Sequence, residues 1–260
     1  MKQYYFVGII LPELSFDSPP DISFSQLRTL LHDNLSPSDL QKTLAIRHFY
    51  DLLNIRALLL EEELDTRGEM SPLELGEALI GRVGLPDYVY AFMDTYESTE
   101  ERLRHFPLLL ARFFQNAEFL KDKFLRRYMQ FERALRLVMT AFRAKKLGRD
   151  LAAELQYENP DEELIAQLLA KQNAEVYDPP EPFEKLKPIF EEFGNHPIEL
   201  QKKLDEFRFE TIESYIDMAD GFSIERILAY FCQFLIVDQW RKLNKNEGLA
   251  ILDTLFKNNR

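Results

Sequence analysis

The chain has 260 residues, of which 46% are hydrophobic and 13% aromatic, so it can bury a core in one large or two small domains, which argues against wholesale disorder. Its net charge of −12 and its isoelectric point near 5.0 argue against a nucleic-acid-binding protein, because neutralising phosphates requires a basic surface. The single cysteine, Cys232, cannot form an internal disulfide, and we expect it to be a buried small hydrophobe in a protein of the reducing cytosol.

No apolar segment of the sequence is long enough to cross a bilayer, which requires about 20 residues. The longest one, ILAYFCQFLIV (Ile227–Val237), is shorter than that and is interrupted by Gln233. The N-terminal MKQYYFVGIILPEL has one basic residue and no small-residue cleavage site before the acidic residues that follow. We therefore expect a cytoplasmic protein with no transmembrane segment and no secretion signal.

The first candidate element is Tyr4–Ile10, a continuous apolar run that is either a lone edge strand or a buried first helix, since periodicity does not separate the two over so few residues. After it, helix-start signals recur. Each has Ser or Asn at the cap position and an acid three residues later: SPSD (36–39), SPLE (71–74), STEE (98–101) and NPDE (159–162). Apolar residues at helical spacing follow these signals. The pattern predicts an all-α protein of about ten helices with almost no sheet.

Proline marks the expected interruptions between and within these helices. Pairs of prolines in 15–23 and 175–182 predict extended linkers, because proline ends a helix and restricts the residue before it. Pro107 lies within a helical pattern, where we expect a break or a kink. Apolar content is high on both sides of 175–182, so we interpret 1–260 as a single elongated helical domain with lobes.

The central segment 121–149, here called the basic segment, differs in charge from the rest of the chain. It holds ten Lys and Arg residues against two acids, a net charge of +8, which leaves −20 for the other residues of a chain whose total is −12. Apolar residues spaced by four and three positions form a seam suited to helix pairing: Phe124, Tyr128, Phe131, Leu135, Val138 and Phe142. Further apolar residues lie off this seam, so we expect neighbouring elements around most of the helix.

The basic side chains of this segment have three interpretations. They pair with acids of the same fold, such as 61–63 or 161–163; they bind an acidic partner; or they bind nucleic acid, which the burial of the seam aromatics disfavours. Glu132 and Arg136 stand one helical turn apart and predict a structural ion pair. The candidate partner-binding residues are Arg126, Arg133, Arg143, Lys145 and Lys146.

The sequence contains no recognisable catalytic or metal-binding motif. Its four histidines, His32, His48, His105 and His196, form no i, i+4 pair, and no Glu-x-x-His, glycine-rich phosphate loop or Gly-x-Ser-x-Gly is present. We therefore predict no catalytic residue, no metal and no cofactor.

Three segments share a layout in which an acid precedes an arginine by three to five residues on a long apolar helix. They are FYDLLNIRALLL (49–60), QFERALRLVMTAFRAKKLG (130–148) and LIVDQWRKLNKNEG (235–248), with the acids Asp51, Glu132 and Asp238. The separations of the acids are too unequal for a regular solenoid, and such pairs also support ordinary helices. The pattern is thus either a degenerate repeat or chance.

The same segments resemble the central-rotor C subunit of V-type ATPases (the d subunit in eukaryotes), which is built from three degenerate helical repeats. DLLNIR (51–56) resembles the acid-x-x-Asn-Ile-Arg core of its repeats, FRAKKLG (142–148) resembles a second element, and 228–249 is similar to the closing one. The opening 4–14 and 21–40 resembles a smaller bacterial family, encoded among V-type ATPase genes in chlamydiae and Bacteroidetes where a rotor C subunit is expected.

This resemblance implies a non-catalytic coupling protein that links the membrane proteolipid ring to the central stalk of a V-type ATPase. Its partners would be the stalk subunits and the ring, and it would lie peripherally at the inner membrane face through protein contacts. Two alternatives remain at this point. One is a free-standing helical adaptor that binds an acidic protein or peptide through the basic segment, and the other is a helical enzyme of unknown chemistry.

Overall fold

The structure, a computed structural model, describes residues 3–18, 20–117, 122–216 and 221–258. These residues form twelve helices and contain no strand, so the predicted all-α class is confirmed. The helices are α1 Tyr5–Ile10, α2 Phe24–Asn34, α3 Pro37–Leu59, α4 Pro72–Gly81, α5 Asp87–Thr95, α6 Thr99–Ala117, α7 Lys123–Leu147, α8 Leu151–Glu154, α9 Glu163–Ala170, α10 Leu186–Phe193, α11 Pro197–Glu213 and α12 Ile224–Asn258.

Most of the predicted helix starts are confirmed. In α4, the Ser71 hydroxyl accepts the Glu74 N–H and the Glu74 carboxylate accepts the Ser71 N–H, which completes a capping box. Ser98 and Glu101 make the same reciprocal bonds at the start of α6. The NPDE signal misleads, because the Asn159 side chain accepts the N–H two residues on and forms a turn, and α9 begins only at Glu163.

Two further expectations concern single elements. Tyr4–Ile10 forms a helix, α1, but the expectation that this helix is buried is wrong: Val7 is its buried residue, whereas Tyr5, Phe6, Ile9 and Ile10 are exposed. At Pro107 the helix does not break, because α6 continues through the proline, and the alternative of a kink stays a prediction. Phe106 and Leu109 are buried on either side of it. Their packing stabilises the helix at the one position where proline provides no N–H to the hydrogen-bond ladder.

The chain divides into two compact units, Met1–Leu44 with Asp205–Arg260, and Ala45–Leu204. The boundaries fall inside α3 and α11, whereas the predicted linker 175–182 lies within the second unit. In the first unit, 227–237 of α12 is buried almost throughout, including Cys232 as expected. No helix among the described residues is long and apolar enough to cross a membrane.

Helix α7 is the centre of the second unit. Its N-cap Asp122 accepts the Leu125 N–H, and it ends at Gly148, whose positive φ of 63° suits a residue without a side chain. All six seam residues are buried, and so are Leu125, Met129, Leu137 and Ala141 off the seam. Helices α6, α8 and α9 pack against it. The prediction that neighbours surround this helix is confirmed.

Candidate functional site

Four charged side chains of the second unit form one cluster beside α7, here called the charged cluster: Arg133, Arg136, Glu158 and Glu162. Arg133 donates to Glu158 at 2.6 Å and to both carboxylate oxygens of Glu162 at 2.6 and 2.8 Å. Arg136 donates to the other oxygen of Glu158. The Glu158 side chain is only 4% exposed, so one buried carboxylate is shared between two guanidinium groups.

The electrostatics of the charged cluster favour its ionised form. Burial alone would lower the pKa of Arg133, but the hydrogen bonds that Arg133 donates to Glu162 and Glu158 outweigh burial and raise its pKa. Burial lowers the pKa of Arg136, against the attraction of Glu158. Arginine starts so far above neutrality that both groups stay charged. The cluster is therefore a multiply bonded ion-pair network whose role is to hold α7 to 158–162.

This geometry corrects two sequence-based assignments. Arg136 bonds to Glu158 and not to Glu132, the residue one turn before it, because its guanidinium points to a neighbouring segment instead of along its own helix. Arg133 was predicted to bind a partner, but its side chain is 12% exposed and is bonded within the same unit. For Arg133 the interpretation of internal pairing with 161–163 is confirmed through Glu162.

The other basic residues of α7 lie nearer to solvent. Arg126 and Arg143 are exposed. The Lys145 ammonium group donates to the carbonyl of Ala174, and that of Lys146 donates to the carbonyl of Gly194, so both attach the last turn of α7 to later segments. Binding of a partner by these four residues stays a prediction. Lys121, the first residue of the basic segment, lies outside the described residues.

The acids of the three similar segments share one property, which is burial. Asp51, Glu132 and Asp238 are 1%, 7% and 2% exposed and lie on the long helices α3, α7 and α12. Asp238 pairs with Arg241 and Lys242 of its own helix, each at 2.7 Å. The side chains of 244–249, at the end of the closing segment, are outside the described part.

In the DLLNIR segment the acid and the asparagine both bond to the chain that follows α3. Asp51 Oδ1 accepts the Met70 N–H at 3.0 Å. The Asn54 side chain accepts the Asp65 N–H at 2.7 Å and donates to the Asp65 carbonyl at 2.9 Å. Arg56 is exposed. The motif therefore fixes segment 60–70 to α3.

Asp51 also lines a cavity of about 550 Å³, here called the α3 cavity. The lining is mostly apolar, with His48 and Tyr88 as its other polar side chains, and the remaining residues are Ala45, Leu52, Gly84, Leu85, Pro86, Phe113 and Met129. Burial raises the pKa of Tyr88 to about 12, so its hydroxyl stays protonated at neutral pH. Asp51 Oδ2 has no hydrogen-bond partner among the protein atoms of the described ranges.

Sequence reasoning missed the α3 cavity. It singled out Asp51 as a repeat acid, but the lining residues come from four separated stretches of the chain. The local signal was the pair His48 and Asp51, three residues apart and therefore on one face of α3. For metals, no group of three or more His, Cys, Asp or Glu side chains within the described residues is placed to hold an ion.

Similar proteins occur in Chlamydia, and three of them carry the name "Uncharacterized protein". The one from Chlamydia trachomatis serovar D is 24% identical over 260 residues, covering 97% of both chains. The relative from Chlamydia muridarum is 23% identical, and the match covers 99% of this chain and 98% of the relative. The relative from Chlamydia pneumoniae is 28% identical, and the match covers 83% of both chains. No solved structure matches the chain. The family described as "Protein of unknown function (DUF2764)" matches residues 1–258, and the chain belongs to this family.

Proposed function

We propose that this protein is a non-catalytic coupling protein, similar to the rotor C subunit, that links the proteolipid ring of a V-type ATPase to its central stalk. The proposal starts from the resemblance of 51–56, 142–148 and 228–249 to that rotor protein. The chlamydial relatives support it, because they match nearly the full chain and come from a group in which the resemblance places the smaller family beside V-type ATPase genes.

The observation that carries the proposal is that the acid of each of the three similar segments is buried on a long helix. Burying a carboxylate is costly unless it is bonded, so three buried acids are more than a common surface pattern. Asp51 bonds to Met70 and Asp238 to Arg241. This shared property supports a degenerate repeat, which is the build of the rotor C subunit.

A part that transmits torque has to resist deformation, and the second unit contains bonds suited to that. Helix α7 is apolar on most of its circumference and is surrounded by α6, α8 and α9. The charged cluster adds directional bonds to this packing, and close-packed interiors transmit strain. Peripheral placement at the inner membrane face would follow from contact with the ring.

The alternative of a free-standing adaptor is favoured less. It requires the basic segment to offer its charges to an acidic partner, but Arg133 and Arg136 are bonded to Glu158 and Glu162. Their charge is already neutralised within the unit. Arg126 and Arg143 are exposed on α7, and their position suits a limited contact within a larger assembly.

Co-purification tests the proposal. The tagged chain is co-expressed with the stalk and proteolipid subunits of the V-type ATPase from the same genome, and a tagged unrelated acidic protein serves as control. We expect the stalk subunits to co-purify with the tagged chain and not with the control protein. Native mass spectrometry should show them in a fixed stoichiometry. An ATPase that assembles without the chain would contradict the coupling role. Stoichiometric capture of a protein from outside the ATPase would favour the adaptor.

A further inference from the structure

We propose that the α3 cavity is a binding site for a small organic cation, an amine with a compact apolar body, held by the carboxylate of Asp51. The inference goes beyond the coupling role and does not depend on it, because it concerns a cavity inside the second unit.

Asp51 is built into the wall of the cavity. The residue is 1% exposed, and its Oδ1 is fixed by the Met70 N–H. Gly68 lies so close that a Cβ placed there would stand 2.6 Å from Oδ1, so the loop backbone confines the carboxyl group. The second oxygen, Oδ2, is buried with no hydrogen-bond partner among the described protein atoms. Because Oδ2 is itself almost inaccessible, Asp51 would act on a ligand through its negative charge in the apolar wall of the cavity and not through a direct bond.

The charges around Asp51 leave room for a cation. Arg47 is a strong positive charge one turn away on α3, but its guanidinium donates to the carbonyls of Arg67 and Gly68 and to Glu69. His48 lines the cavity and is exposed, and Glu74 adds a negative charge that disfavours a second anion here. Burial raises the pKa of Asp51 against the stabilising Met70 bond, so its ionised form gains from a bound positive charge.

The rest of the cavity fits the body of such a ligand. Its volume of about 550 Å³ lies within the range of about 300–1,000 Å³ that is usual for small-molecule sites. Apolar side chains supply most of the lining, which favours a hydrophobic ring or chain. The aromatic rings of Phe113 and Tyr88 are also present, and an ammonium group is attracted to the face of such rings. One carboxylate in an apolar cavity selects an amine over an anion.

The test uses benzylamine as the probe, with benzyl alcohol and benzoate as its neutral and anionic counterparts. Binding to the full chain is followed by chemical-shift changes in the NMR spectrum. We expect benzylamine to bind more tightly than benzyl alcohol, and benzoate not to bind. Asp51→Asn should weaken benzylamine binding by about tenfold or more while leaving benzyl alcohol binding unchanged, because the negative charge that attracts the ammonium group is removed.

Two further variants make the outcome decisive. Asp238→Asn removes an equally buried acid outside the cavity and should leave benzylamine binding intact. Ala45→Leu fills the cavity without touching Asp51 and should weaken both benzylamine and benzyl alcohol, which keeps the test valid if Asp51→Asn does not fold. The proposal is overturned if folded wild-type protein does not bind benzylamine, if the alcohol binds equally well, or if Ala45→Leu binds unchanged.

Discussion

Glu158 and Asp51 are both buried carboxylates of the second unit, yet their surroundings are opposite. Glu158 receives a guanidinium on each oxygen, from Arg133 and Arg136. Asp51 receives one backbone N–H on Oδ1, and Oδ2 has no hydrogen-bond partner among the described protein atoms. At Glu158 the two guanidinium groups offset the free-energy cost of burying a charge. At Asp51 a single backbone N–H offsets this cost only in part. A fully bonded acid is thus interpreted as structural, and a partly bonded acid in the wall of a cavity as a candidate site.

The largest effect is expected from Glu158→Gln. Removing this carboxylate leaves two guanidinium groups without their shared partner, and breaking a buried ion pair costs about 3–5 kcal/mol. We expect the free energy of unfolding to fall by about that amount, measured by urea denaturation of the purified chain.

Glu162→Gln is the matched control for this prediction. Its side chain is 37% exposed and shares Arg133 with Glu158, so its loss should cost about 1 kcal/mol or less. Equal losses in the free energy of unfolding from Glu158→Gln and Glu162→Gln would mean that burial does not decide how much each carboxylate contributes to stability. The comparison of the buried acids Glu158 and Asp51 would then have no basis.

Arg133→Gln is expected to have the next largest effect. It removes the bonds to both glutamates but leaves Glu158 bonded to Arg136, so we expect a loss of about 2–3 kcal/mol, between that of the two glutamate variants. The measurement is the urea midpoint. Arg126→Gln, at an exposed position of the same helix, should change stability by no more than about 1 kcal/mol. A larger loss from Arg126→Gln than from Arg133→Gln would reverse our assignment of the two residues.

A smaller effect, visible as a pH trend, is expected from Asp51→Asn. Burial raises the pKa of Asp51 in the folded state, although the Met70 N–H, His48 and Arg47 oppose it. A raised pKa means that folding favours the protonated acid. The stability that protonated Asp51 contributes is complete below the unfolded pKa of about 3.9. This contribution is lost as pH rises through the pKa of Asp51 in the folded state. The stability of Asp51→Asn relative to wild type should therefore increase as pH rises from the unfolded pKa of about 3.9 through the raised folded pKa.

Glu101→Gln provides a control of opposite sign. The hydrogen bonds from Ser98 lower the pKa of Glu101, so its contribution is present above the unfolded value and is lost as pH falls. Wild type should lose its advantage over Glu101→Gln toward acid pH. Denaturant midpoints across the pH range measure both trends, and parallel trends in the two variants would contradict the environment assigned to Asp51.

The sequence predicted local features better than contacts between distant segments. Capping boxes at Ser71 and Ser98 involve residues three apart, so they were readable directly. The burial of α7 on most sides followed from apolar residues all round it. The signal at Asn159 failed because the same side chain also favours a turn, and tertiary context decides between the two.

The charged cluster and the α3 cavity show why sites were harder to predict. Arg136 had an acid one turn away, Glu132, but bonds to Glu158, which packing brings beside it. No pattern in the sequence shows whether Arg136 bonds to Glu132 on its own helix or to Glu158, which is distant along the chain. The cavity combines 45–52, 84–88, Phe113 and Met129, so it exists only once α3, α6 and α7 have packed. Asp51 was noticed for its repeat position, whereas its unbonded oxygen is a property of the fold.

The smallest effect on stability is expected from the double variant Arg126→Gln, Arg143→Gln. Both residues are exposed on α7, so the free energy of unfolding should change by about 0–1 kcal/mol. If they contact the stalk of a V-type ATPase, the variant should instead weaken co-purification with the stalk subunits. Wild-type binding should also weaken with salt, because the Debye length falls from about 10 Å at 0.1 M to about 3 Å at 1 M. Binding would be measured by light scattering of the assembled complex at several salt concentrations.

The matched control is Arg82→Gln, Arg104→Gln, which removes two exposed arginines of the same unit outside the basic segment. This control has the same change in net charge, so a loss of binding from charge alone would appear in both variants. We expect stalk binding and its salt dependence to change only for Arg126 and Arg143. If Arg126→Gln, Arg143→Gln instead lowers stability strongly while stalk binding stays intact, both arginines act as Arg133 does and hold α7 to its own unit.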